Sequence, residues 1–175
     1  QNLLSVHQIS ALENISMSHN RQGLMRGKVA RKVSTALKNL RSRQLRGIDT
    51  NKILITCRKD KWLDSDNGAK GLFARGSKLV AAIWIAKTTK GTNDYMHCSH
   101  AVHLSRLHLS PNIKSYLGVG REFEKIWAVS ELIQWVYRTA LRNEQPVELY
   151  IACAHMKSLL EEWLYEDDPV VELVA

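Results

Sequence analysis

Long apolar runs are what this sequence most plainly lacks. None approaches the ~20 consecutive residues that a membrane-spanning helix requires, so no such helix is expected. Cysteine is scarce as well. Cys57, Cys98 and Cys153 are an odd number at wide spacings with no CxxC, which excludes a disulfide framework and suits a reducing compartment. The first twenty residues have neither a charged n-region nor an apolar h-region, so no secretory signal is read there. The expected location is cytoplasmic, that of the host cell if the chain is viral. No G-x-x-x-x-G-K-[ST] and no D-E-x-[HD] occurs anywhere. Without a phosphate loop, no autonomous ATPase site is expected. The chain opens on Gln1 and not Met, which suggests a piece of something longer.

Acid is missing from one end and base from the other. Ile15 to Gly47 holds no Asp or Glu but contains Arg21, Arg26, Lys28, Arg31, Lys32, Lys38, Arg41, Arg43 and Arg46. After Lys157 there is no Lys or Arg, while Glu161, Glu162, Glu166, Asp167, Asp168 and Glu172 crowd the end. The formal net charge is +8, and a basic chain of this size favours a polyanionic partner. At 175 residues one compact unit is expected. It divides into a basic helical arm (1–50), an α/β domain (51–165) and an acidic tail (166–175).

Periodicity supplies the elements. Residues 1–20 read as a short helix and a loop. From Arg21, apolar residues at Leu24, Val29, Val33, Leu37 and Leu40 predict an amphipathic helix with a broad basic face. Lys52–Cys57 reads as a buried strand, Arg58–Lys70 as a polar turn region, and Leu79–Ala86 as a strand buried on both faces. Ala101–Leu104 and Val147–Ala152 predict two more strands, Arg121–Arg142 a long helix, and Ala154–Tyr165 a last one. This order gives an α/β fold with a mainly parallel sheet of at least four strands and flanking helices.

Ligands of open α/β sheets gather beyond the carboxyl ends of the strands, and two segments are placed there by the sequence reading. The first, Lys87 to Tyr95, offers Lys, Thr and Gly donors to an oxyanion, or is an ordinary polar loop. The second is Gln134, Arg138 and Arg142, spaced by four along one helix. That stripe suits a phosphate chain, which guanidinium binds bidentately, or it is a solvated face. No paired-carboxylate, Ser-His-Asp or Cys-His arrangement follows from the spacing. His97, Cys98, His100, His103 and His108 have metal-ligand types but no zinc spacing, so no metal is expected.

The run Lys90-Gly91-Thr92-Asn93-Asp94-Tyr95, then His103-Leu104-Ser105-Arg106, Ser110-Pro111-Asn112 and Ala128 to Arg142 resembles the second RecA-like lobe of superfamily 2 helicases. It looks closest to the DEAD/DEAH-type proteins of phages and mobile elements. The resemblance implies an arginine finger at Arg138, nucleotide sensing by Gln134 and Arg142, and nucleic-acid contact through Lys90, Thr92 and Asn93. It also implies ATP and Mg held with a second RecA-like lobe, because this chain alone lacks the phosphate loop. Tyr137 stands where the family usually has Gly, and Leu141 where a second Arg is common.

The basic helix adds Arg26, Lys28, Arg31, Lys32, Lys38, Arg41 and Arg43 as candidate phosphate contacts. Its lack of aromatics disfavours single-strand binding by stacking. The leading expectation is the nucleic-acid-binding lobe of an ATP-dependent helicase or translocase, inactive as an ATPase alone and not bound to membrane. The alternatives are a non-enzymatic nucleic-acid-binding viral structural or replication accessory protein, and an interaction module docking through its acidic tail and an exposed Trp135.

Overall fold

Strands form where β-branched and aliphatic residues cluster, and the computed structural model orders five of them. It describes residues 3–63, 71–89 and 91–165; the acidic tail, Lys90 and the 64–70 part of the polar turn region lie outside the described residues. The strands are β1 (Leu4–Gln8), β2 (Ile53–Thr56), β3 (Ile83–Trp84), β4 (His100–His103) and β5 (Val147–Ile151). Every pairing is parallel, in the order β1-β5-β4-β2-β3. The expected α/β sheet of at least four strands is therefore present, with five.

Helices cover both faces. One face carries α1 (His19–Leu24), α2 (Gly27–Arg43) and α3 (Lys59–Trp62); the other carries α5 (Arg121–Val136) and α6 (Ala154–Tyr165), with the short α4 (Pro111–Leu117), which buries no residue, leading into α5. Strand residues alternate between the two sides, as the period of 2 demands. Ile53, Ile55, Val102 and Tyr150 join Val33, Leu37 and Leu40 of α2 in one core cluster. Leu54, Ala101, Leu149 and Ile151 join Leu132 and Trp135 of α5 and Met156 and Leu160 of α6 in the other.

Counted from β2, the sheet runs in the 2-1-3-4-5 order of a doubly wound fold, with the N-terminal β1 in the fifth place. Strand order reverses between β2 and β4, and this is where such sheets place their crevice.

Several expectations are corrected. Residues 4–8 are an edge strand in register with β5, Leu4 opposite Val147 and Gln8 opposite Ile151, and not part of a short helix. The basic arm and the α/β domain thus share one sheet. Leu79–Ala86 contributes only Ile83–Trp84 as strand. Lys78 takes φ 60°, the Ser77 hydroxyl accepts the Leu79 N–H at 3.0 Å, and a turn closes from Ala82 N–H to the Leu79 carbonyl. The basic helix does not start at Arg21: the chain breaks at Met25–Arg26, leaving Leu24 74% exposed while Val33 and Leu37 are buried. The long helix stops at Val136, and Trp135 is fully buried, so it cannot dock a partner.

Candidate functional site

α5 is the crossover between parallel strands β4 and β5, so it returns from their carboxyl ends to their amino ends. The Ala140 N–H donates to the carbonyl of Cys98, just ahead of β4, which fixes the level of the helix's last turn. The Gln134–Arg142 stripe therefore sits at the amino ends of the strands, not beyond their carboxyl ends as the sequence suggested. The structure nonetheless brings the two expected segments together. Gly91 and Thr92 line a 300 Å³ hollow with Gln134, Tyr137, Arg138 and Arg142. Asn93 is exposed beside them.

Within that hollow the donors are partly spent. Arg138 is only 7% exposed and its Nη1 donates to the Gln134 carbonyl at 2.7 Å. The Thr92 hydroxyl is 2.6 Å from an Asp94 carboxylate oxygen. Arg142 and Gln134 are the groups left facing outward. No carboxylate is among the described residues lining the hollow, so this set does not fit a magnesium site.

The basic helix divides by role. Arg26 turns back onto the carbonyls of Gly23 and Met25 at 2.7 and 2.8 Å, closing the break before α2. Arg41 donates to the Leu45 carbonyl beyond the end of α2. The other cations point out: Lys28, Arg31, Lys32, Lys38 and Arg43 are exposed and none pairs with a carboxylate among the described residues. Lys28, Arg31, Lys32, Thr35 and Asn39 follow helical spacing along one shallow groove of 580 Å³. Val33, Leu37 and Leu40 bury the opposite stripe, so the cationic face is held outward by the core itself.

Beyond the carboxyl ends, sequence reasoning missed the key polar residue. Gln22 of α1 is fully buried and fills the split between β2 and β4. Its Nε2 donates to the carbonyls of Leu104 and Met17, and its Oε1 accepts the Arg58 N–H. Nothing in the sequence marked it, because a lone Gln in a basic segment reads as surface. His103, the last residue of β4, is also fully buried, and neither ring nitrogen makes a well-formed hydrogen bond among the described residues. Its ring meets Trp135 edge-on at 5.3 Å. Burial, with help from nearby Lys87, lowers its pKa from 6.5 to about 3, so it is a neutral core residue at physiological pH. No group of three or more His, Cys, Asp or Glu among the described residues is placed to hold a metal.

Among the described residues no helix is long and apolar enough to cross a membrane. Over an 84-residue stretch the chain is 34% identical to the SPbeta prophage-derived uncharacterized protein YonV of Bacillus subtilis (strain 168). That stretch is 46% of this chain and 20% of YonV. No solved structure matches. The family model that matches describes the YonV C-terminal Rossmann-like domain and covers residues 4–164, from β1 through nearly all of α6. The five-stranded parallel sheet agrees with that description, and the chain belongs to the YonV C-terminal Rossmann-like domain family.

Proposed function

We propose that this chain is a nucleic-acid-binding domain that grips the phosphate backbone with the outer face of α2. The observation that carries this reading is the exposed stripe of Lys28, Arg31 and Lys32, which meets no carboxylate among the described residues, with Thr35 and Asn39 as neutral donors in the same groove. Eleven residues of helix rise separate Lys28 from Asn39, roughly 16 Å, which spans about five phosphates of one strand. Apolar packing on the inner stripe fixes the helix that carries these side chains, so docking orders the side chains but not the backbone. The stripe carries no aromatic side chain, which favours backbone contact over base stacking. Electrostatic binding of this kind does not read sequence.

The test is fluorescence anisotropy with a duplex oligonucleotide across 50–200 mM salt. The Lys28→Ala/Arg31→Ala/Lys32→Ala variant should bind more weakly and flatten the log–log salt slope by about 2–3. A slope unchanged from the parent chain would remove α2 from the interface.

The helicase-lobe reading keeps one supporting observation, the hollow that joins Thr92 to Gln134, Arg138 and Arg142. In that reading ATP and Mg²⁺ are held by a second RecA-like lobe. Arg142 and Gln134 face the nucleotide from this side, while Lys90, Thr92 and Asn93 face nucleic acid.

A further inference from the structure

The crevice that a doubly wound sheet opens between β2 and β4 is filled here by Gln22. The open concavity lies one strand along, on the α5 side, beyond the carboxyl ends of β4 and β5. It measures 260 Å³, at the small end of ligand pockets. Arg106 and His108 reach it from the segment after β4, Lys114 from α4, Arg121 from the first position of α5 and His155 from the first turn of α6.

We propose that this concavity binds a phosphate monoester, with the Arg106 and Arg121 guanidinium groups as its principal ligands and His108 and His155 as further donors.

The charge balance of the pocket carries the proposal. Four cations line it (Arg106, Lys114, Arg121 and Lys125) against a single carboxylate, Glu124. Glu124 is already engaged by the Lys114 ammonium at 2.5 Å, and Lys125 by Glu122 at 3.0 Å. That leaves Arg106 and Arg121, neither of which meets a carboxylate among the described residues. Two unpaired guanidinium groups sharing one small concavity repel each other, and a dianion between them relieves that repulsion. Guanidinium forks match the geometry of phosphate oxygens.

Two supporting features point the same way. The pKa of His155 is lowered by burial and then by Arg106 and Lys125, with Glu124 opposing, as a locally positive potential requires. Gly120, the residue before α5, makes no side-chain cap, so backbone N–H groups of the first turn are open to an anion, with Glu122 and Glu124 of the same turn offsetting part of the helix dipole. The site is separate from α2 and is built from different elements.

The test titrates the chain with inorganic phosphate, AMP, adenosine, and one oligonucleotide with either a 5′-phosphate or a 5′-hydroxyl. The reporters are the ring-proton NMR signals of His155 and His108. Inorganic phosphate or AMP should shift both signals saturably, and adenosine should not. A preference for the 5′-phosphorylated oligonucleotide over its hydroxyl twin would identify a nucleic-acid end as the source, and equal response to AMP a free nucleotide. Arg106→Ala/Arg121→Ala should weaken phosphate binding by about tenfold or more, while Lys28→Ala/Arg31→Ala/Lys32→Ala should leave it unchanged. Arg106→Lys/Arg121→Lys, which keeps the charge and loses the fork, should fall between. No saturable shift with inorganic phosphate or AMP, or undiminished binding by a folded Arg106→Ala/Arg121→Ala chain, would overturn the proposal without touching the role of α2.

Discussion

The side-chain carbonyl of Gln22 accepts the backbone N–H of Arg58 at 2.8 Å, across 36 residues of sequence. Where β2 and β4 stop pairing, at Thr56 and His103, their chains diverge and leave backbone groups without strand partners. Gln22 meets that need from α1: Nε2 serves the Leu104 carbonyl at 2.9 Å and the Met17 carbonyl at 3.0 Å. One amide thus ties α1 to the ends of both central strands.

Replacing Gln22 exposes how much depends on it. Gln22→Ala leaves the buried Arg58 N–H and the Leu104 carbonyl without their side-chain partner, the Met17 carbonyl keeping the Arg106 N–H, and should lower stability by about 1–3 kcal/mol. Gln22→Glu should be worse, because a carboxylate would face the two carbonyls. Urea midpoints followed by far-UV circular dichroism measure both. A Gln22→Ala chain as stable as the parent would mean that solvent replaces the amide freely.

Acid should weaken the fold through His103. Its folded pKa lies near 3 and its ordinary value is 6.5, so below pH ~6.5 the unfolded chain binds a proton that the folded chain refuses. Stability from this group is therefore complete above about pH 6.5 and falls by up to ~1.4 kcal/mol per unit down to about pH 3. His103→Leu removes the titration, and among the described residues neither ring nitrogen makes a well-formed hydrogen bond that would be lost. Thermal melts at pH 7 and pH 4.5 should show a smaller acid loss for His103→Leu than for the parent. Equal losses would assign the acid sensitivity elsewhere.

Arg138 makes a sharper prediction about the amino-end hollow. Its guanidinium is nearly buried and holds the Gln134 carbonyl in the last turn of α5. Arg138→Ala should therefore destabilise the chain by about 1–3 kcal/mol, losing a charge-assisted bond and the packing of its stem. The helicase-lobe reading adds a second consequence, loss of ATP turnover in a polypeptide carrying both lobes while nucleic-acid affinity survives. Calorimetry and a turnover assay on the same variant separate the two. Lower stability with intact turnover would leave Arg138 as a capping residue alone.

The parts of the fold legible in the sequence share one property: their local pattern and their tertiary environment agree. Ile53–Thr56 is a β-branched run that really is buried on both sides, and Ala154–Tyr165 starts and stops where its periodicity does. β1 was invisible because an edge strand buries little. All five of its residues are half-exposed, and Leu-Ser-Val-His-Gln carries no run long enough to announce a strand. Leu79–Ala86 failed the opposite way, its apolar residues being recruited by a turn that packs Leu79, Ala82 and Ile85 without extending them. At the site level, spacing put Gln134, Arg138 and Arg142 on one stripe, and the structure sets that stripe beside Thr92. Which end of the sheet they occupy depends on strand order, which no local pattern contains. The Arg106, Arg121 and His155 concavity lay beyond reach for the same reason, since three separate elements must converge to make it.

Placing the first strand beside the fifth has a consequence for synthesis. Leu4–Gln8 leaves the ribosome some 140 residues before its hydrogen-bonding partner Val147–Ile151. At the ~5–20 residues per second of translation, that edge waits on the order of ten seconds with its backbone groups unpaired. This edge of the sheet cannot close until both strands have emerged, and their long sequence separation makes closure slow even then. A chaperone or an early ligand that shelters this opening strand would raise the yield of folded protein without altering its final stability.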